Sequence, residues 1–208
     1  MVEVLPAILE KTFEGVQEKC GRLQGAASRA QLDIMDGVFV PEESWQDASQ
    51  LSQLPKGLSF DVHLMVEKPE QWVNGWSRGN VFRVTFHHNA TYDVLRTIKL
   101  IKDAGKEAGV ALNLETPVSA VYDILGEIDL VLLMGVLPGG EERAFNPKVI
   151  EKVRELREHS PAVAIGVDGG ISPLVAPKLA EAGANVLVSG SYLFGEDDIA
   201  SAIASLQG

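Results

Sequence analysis

The amino-acid sequence predicts an α/β fold, a single compact (β/α)8 barrel spanning residues 1–208 as one domain. Three observations carry this. Short runs rich in Val, Ile and Leu alternate with amphipathic stretches, eight times in all. Several runs are nearly continuous in apolar residues, as strands covered on both faces of a parallel sheet must be. The acids, histidines and glycines able to do chemistry follow many of these runs, and only a closed barrel gathers all the strand ends around one mouth.

The first run, Val4–Leu9, precedes an amphipathic stretch at Thr12–Leu23. The second and third, Gln31–Met35 and Phe60–Met65, contain the acid-and-histidine motifs. Val81–Phe86 runs through His87 and His88 into Ala90–Ala108, and Val110–Leu114 leads to Pro117–Leu125. Leu130–Met134 is followed by a glycine-containing loop and Pro147–His159, and Ala162–Val167 by a second such loop and Pro173–Ala182. Val186–Ser189 ends the series, with Gly190 and Ser191 after it. Pro147 and Pro173 suit a first helical turn, and Asn146 and Ser172 before them suit N-caps. At 208 residues the barrel is compact, since ~250 is usual. An open doubly wound sheet is the alternative. It is disfavoured because no Gly-x-Gly-x-x-Gly follows the first strand.

Composition bounds the function classes. A hydrophobic content of 46% and a charged content of 23% are those of an ordinary globular chain. The net charge of −11 argues against nucleic acid and anionic membranes as partners, so any phosphate must be bound by local donors. The single cysteine, Cys20, forms no intrachain disulfide, which fits a reducing, cytoplasmic setting. The first residues lack the basic segment and long apolar core of a signal peptide. No uncharged apolar run approaches the ~18 residues that span a bilayer. A homo-oligomer is compatible with the chain.

Strand alternation puts Gln31, Asp33 and Met35 on one face, and Asp61, His63 and Met65 on one face of the next strand. Asp33 and His63 pointing inward would bring a carboxylate and an imidazole together near the mouth, with Asp168 approaching from the far side. Two carboxylates across a pocket can act as acid and base, and a divalent metal held by both would stabilise an enediolate. An isolated strand-end aspartate is more often a cap, an isolated inward histidine more often a core residue, and Met35, Met65 and Met134 can equally be core filler. Of His87 and His88 at most one can point inward, and His159 suits an interaction with its helix terminus. Glycine pairs after the late strands (Gly139 and Gly140, Gly169 and Gly170, then Gly190 with Ser191) indicate phosphate held by backbone N–H groups. Schiff-base aldolase chemistry needs an inward lysine, which no expected strand supplies.

Taken together these motifs resemble the ribulose-phosphate 3-epimerase family almost end to end. The matching segments are LPAIL at 5–9, DIMDGVFVP at 33–41, DVHLM at 61–65, NLETP at 113–117, DLVLLM at 129–134, VDGGI at 167–171 and GSYLF at 190–194. The resemblance implies a TIM barrel that interconverts D-ribulose 5-phosphate and D-xylulose 5-phosphate, a small-molecule sugar-phosphate substrate. It implies Asp33 and Asp168 as the acid/base pair and, with His63, as ligands of Zn, Fe, Mn or Co. It implies Met35, Met65 and Met134 as a sulfur-lined cap, and the late glycine loops and His87 as substrate contacts. The chain departs from the family at functional positions. Gln31 replaces a histidine ligand, making it a doubtful fourth ligand and the metal weakly held. Glu10 replaces a serine near the reacting oxygens, and Asn89 replaces a glutamate. LPGGEER at 137–143 places Glu141 and Glu142 where the family's phosphate loop has glycines. Three readings follow: a 3-epimerase of ketopentose phosphates, a 3-epimerase of another ketose, phosphorylated or not, and a catalytically impaired sugar-phosphate binder.

Overall fold

The computed structural model describes residues 2–136 and 144–208. Eight parallel strands close into a barrel in sequence order: β1 (Glu3–Ile8), β2 (Arg29–Met35), β3 (Ser59–Met65), β4 (Val81–His87), β5 (Glu107–Leu112), β6 (Leu130–Met134), β7 (Ala164–Asp168) and β8 (Val186–Ser189). Closure is made by β8 pairing with β1, Val186 opposite Glu3 and Ser189 opposite Pro6. The helices are α1 (Phe13–Arg22), α2 (Val73–Trp76), α3 (Val94–Asp103), α4 (Lys148–His159), α5 (Ala176–Ala182), α6 (Ser191–Gly195) and α7 (Ile199–Gln207). No helix among the described residues is long and apolar enough to cross a membrane.

Several expected boundaries shift for local reasons. The stretch expected as helix over 90–108 yields to β5 from Glu107, after Gly105 adopts φ +72° and ends α3. The stretch at 117–125 is a 3-10 helix, Val118–Ile124. Asn146 accepts from the Lys148 N–H as expected of a cap, whereas α5 begins only at Ala176, with Ser172 starting a preceding turn. His159 stacks on Tyr122 at 3.5 Å between ring centres, so its partner is an aromatic face. Asp168 is the last residue of β7, one position earlier than a loop residue would be.

Most of the apolar core lies between the barrel and its helices, including Leu32, Ile34, Val62, Leu64, Phe86, Val131 and Val167. Inside the barrel the strands divide. Leu5, Ala111, Leu130, Leu132, Val186 and Val188 from β1, β5, β6 and β8 form an apolar half. β2, β3 and β4 instead turn Gln31, Asp61, His63, Arg83, Thr85 and His87 inward, all buried. At the lower tier Asp61 accepts from Arg83 Nε at 2.8 Å and from Thr85 Oγ1 at 2.8 Å. Gly109 on β5 makes room for this tier, since a Cβ there would lie 2.3 Å from Thr85 Oγ1. The polar half is thus built in layers, each resting on the one below.

Candidate active site

Register assembles the upper tier. β2 and β3 pair with Gln31 opposite Asp61, Asp33 opposite His63 and Met35 opposite Met65. The inward parity of β2 therefore fixes the inward parity of β3. β7 pairs with β6 so that Asp168 is level with Met134, bringing its carboxylate over the barrel axis from the other side. Ligand atoms of Asp33, His63 and Asp168 all lie within 4.8 Å of one another.

Gln31 occupies the centre of this group. Its Nε2 donates to Asp33 Oδ1 at 2.8 Å and to Asp168 Oδ2 at 2.7 Å, and stands 3.3 Å from His63 Nδ1. Its Oε1 is buried and has no hydrogen-bond partner. His63 Nδ1 is 3.2 Å from Asp33 Oδ1 and 3.4 Å from Asp168 Oδ2. On its other edge, His63 Nε2 meets His87 Nε2 at 2.9 Å, and His87 Nδ1 reaches Asn113 Oδ1 at 2.7 Å.

Burial raises the Asp33 carboxyl; a hydrogen bond with His63 opposes the rise and the Asp168 charge reinforces it. For His63, burial acts downward but is outweighed by hydrogen bonds with Asp168 and Asp33, which hold the imidazolium up to about 10. Burial, then the charge on His63, drives His87 well below its ordinary value. These directions set the tautomers: His63 Nε2–H donates to a neutral His87, whose Nδ1–H donates to Asn113. In this upper tier the positive charge is thereby held on one imidazole flanked by two carboxyls, above the buried Asp61–Arg83 pair.

The cavity above this centre is lined by Asp33, Asp168, Met35, Met65 and Met134, with Gly169, Gly170, Gly190 and Ser191 along the β7–β8 side. No lysine lines it among the described residues. Gly170 has φ +68°, and a Cβ there would sit 2.8 Å from Phe145 Cβ, so the loop takes this path only with glycine. His87 is buried and inward, while His88 is half-buried and does not line the cavity. Glu10 is absent from the lining; its carboxylate pairs with Lys19 at 3.0 Å. Gly139, Gly140, Glu141 and Glu142 lie outside the described residues.

Three residues gain roles that sequence reasoning did not assign. Asn113 fixes the His87 ring, and its place in the NLETP segment was the available signal. Asp36 accepts from Val38 and Phe39 N–H groups and, across the rim, from Glu67 N–H, tying the loop after β2 to the loop after β3. Ala7 lines the cavity from β1, and a small apolar residue leaves no signal of this kind.

A match to the ribulose-phosphate 3 epimerase family model covers residues 3–194. The chain belongs to the ribulose-phosphate 3-epimerase family. It is 35% identical to the ribulose-phosphate 3-epimerase of Bacillus subtilis, over 100% of this chain and 99% of that one. It is 38% identical to the chloroplastic ribulose-5-phosphate-3-epimerase of Arabidopsis thaliana, over 98% of this chain and 75% of that one. Both are isomerases by name. Among solved structures, 3-hexulose-6-phosphate synthase superposes with a TM-score of 0.72 at 18% identity, covering 99% of this chain and 98% of that one. KGPDC from Streptococcus mutans gives 0.75 at 13%, covering 100% and 96%. At these identities the superpositions speak for the barrel alone.

Proposed function

We propose that the protein inverts C3 of a ketopentose phosphate, interconverting ribulose 5-phosphate and xylulose 5-phosphate by proton transfer between Asp33 and Asp168. The observation that carries this is the pair itself: two buried carboxyls from opposite sides of one barrel mouth, both 2.7 to 2.8 Å from the same nitrogen. In one direction of the reaction Asp33 carries the proton to be delivered. Asp168 takes the C3 proton, leaving its electron pair in an enediolate, and Asp33 gives its own proton to the opposite face. The two carboxyls end with their protonation exchanged. His63 touches both, so its Nδ1 can give a proton to Asp33 and accept one from Asp168, restoring the start. Met35, Met65 and Met134 provide polarizable, water-excluding walls.

Asp33, His63 and Asp168 are donors of the types a divalent cation takes, but as arranged they enclose Gln31 Nε2, which would have to turn away before an ion could sit among them. An ion held there would supply positive charge beside the sugar's reacting oxygens. Gly169, Gly170, Gly190 and Ser191 would receive the phosphate, a reading supported by their lining the cavity on its β7–β8 side.

The test is solvent deuterium entry at C3 of ribulose 5-phosphate, read by NMR. Exchange accompanying xylulose 5-phosphate formation supports the reading, and product free of deuterium overturns the mechanism. A second reading, an unphosphorylated ketose, is favoured by Glu141 and Glu142, which stand in the sequence where the resemblance puts phosphate-loop glycines; a like charge ~4 Å from a phosphate oxygen would cost about 1–4 kcal/mol. It gains if free ribulose is turned over as well as the phosphate and Glu141→Gly with Glu142→Gly lowers KM for ribulose 5-phosphate; a KM left unchanged by those substitutions removes its main support. Binding of ribulose 5-phosphate with no exchange under any condition would instead favour an impaired binder.

A further inference from the structure

The position of the Gln31 amide departs from what a ligand to an ion would do. A ligand presents its oxygen to the centre. Gln31 presents its nitrogen, at 2.8 Å from Asp33 Oδ1, 2.7 Å from Asp168 Oδ2 and 3.3 Å from His63 Nδ1. These three residues are the ones whose ligand atoms lie close enough to share an ion. The nitrogen therefore sits among the very atoms that an ion would have to bridge.

The amide is held this way round by electrostatics. An –NH2 group has two hydrogens, and both are used, one on each carboxylate. Turning the amide would put Oε1 against two carboxylate oxygens, acceptor against acceptor. Nitrogen stays inward even though this leaves Oε1 buried without a partner, an orphan of the kind normally avoided. An incoming ion must break two charge-assisted hydrogen bonds and rotate the amide, and the ligand then offered is a neutral carbonyl oxygen in place of an imidazole.

We propose that Gln31 occupies the seat of the ion: its amide bridges Asp33 and Asp168, holds them at a common centre, and lets them exchange protons with substrate without a resident metal. Gln31 is on this account a positioning residue. It is one strand step below Asp33, fully buried, and its side chain spans from β2 to the carboxylate on β7. The inference rests on the epimerase reading for its catalytic half and on the geometry alone for its metal half.

The two halves are tested separately. Protein stripped with chelator is titrated calorimetrically with Zn2+ and with Mn2+ as wild type, Gln31→His and Gln31→Glu. Melting curves of the ion-free variants verify folding, and the shift in Tm on adding ion gives a second measure of affinity. Wild type should bind at least ~10-fold more weakly than Gln31→His, the lower end of what disturbing a metal site costs. Gln31→Glu should also bind more tightly, because it adds a carboxylate at the same centre. In parallel, deuterium entry at C3 is measured with EDTA present and with Mn2+ restored. Wild type should keep its rate in EDTA within about twofold, while Gln31→His should lose rate in EDTA and recover it with Mn2+. Wild-type affinity equal to that of both variants overturns the proposal, as does a wild-type rate abolished by EDTA and restored by Mn2+. Absence of exchange from wild type in both conditions sinks the epimerase reading, and calorimetry still decides who holds the seat.

Discussion

Replacing Asp168 with asparagine separates catalysis from stability at this centre. The substitution keeps shape and removes both the charge and the proton site. Asp168 Oδ2 accepts from Gln31 at 2.7 Å, and an amide oxygen at the same place accepts equally well. What is lost is the charge assistance of that bond and the ion-pair contact with His63 Nδ1 at 3.4 Å, one of the two contacts that hold the imidazolium up. What is gained is relief from crowding two carboxyls, since the Asp168 charge helps raise Asp33. The net effect on folding should stay within about 1 kcal/mol, which at this chain length moves Tm by roughly 2–4 °C. The effect on turnover should be of another order. Without a base for the C3 proton, loss of a positioned acid or base costs ~10²–10⁴-fold, or about 3–5 kcal/mol of barrier. The assay pairs kcat for ribulose 5-phosphate with a melting curve and with binding of a substrate analogue. A variant that melts like wild type, binds the analogue and keeps more than about a tenth of kcat would refute the assignment of Asp168.

Other expectations concern the frame around the centre. Arg83→Met leaves the Asp61 carboxylate buried with only Thr85 as donor, and removing one partner of a buried pair costs about 3–5 kcal/mol; Asp61→Leu in the same chain should return most of the lost Tm. Gly170→Ala forces a side chain into φ +68° with its Cβ 2.9 Å from Phe145 Cα, so both Tm and substrate affinity should fall, by about 1–3 kcal/mol in stability. Cys20 is fully buried and burial pushes its thiol up to about 11, so the native protein should resist thiol reagents at pH 8 and react fully only in denaturant. Because the folded state keeps this proton after the unfolded chain has lost it near 9.0, this group's contribution to stability should decline as pH rises through the interval between 9 and 11.

The barrel was legible because its strands are buried on both faces, which writes each as a nearly unbroken apolar run with polar exceptions at inward positions. Those exceptions revealed the site: parity alone put Gln31, Asp33 and His63 on facing strands, and the observed register agrees. What the sequence hid follows from chemistry that has no periodic signature. Nothing at residue 31 tells whether an amide will offer oxygen or nitrogen; this is decided by carboxylates 2 and 137 residues away. Asn113 owes its role to one ring atom of His87, and the short helices α2 and α6 are too brief to show a 3.6-residue repeat. Helix ends depart from expectation where glycine or a following strand intervenes, as at Gly105 and Glu107.

The two halves of the barrel interior explain why a change at residue 31 can be accommodated. In the apolar half a buried amide would find nothing to bond. In the polar half Gln31 lies over the Asp61–Arg83 layer and under Asp33, with His63 and His87 beside it, so donors and acceptors already surround any side chain placed there. The amide of Gln31 brings two N–H groups to the centre. The carboxylates respond by accepting those hydrogens, and the histidine chain running to Asn113 takes up the remaining polarity. Two buried atoms of this half are left without a partner, Arg83 Nη2 in the lower layer and the acceptor Gln31 Oε1 at the centre. A buried acceptor without a partner destabilises by about 1–3 kcal/mol, and it is retained here at the point where the two carboxyls must be kept facing each other. Stability is given up at the centre in exchange for geometry, and the surrounding layers, apolar on one side and hydrogen-bonded through Asp61, Arg83 and Thr85 on the other, are what make that exchange tolerable.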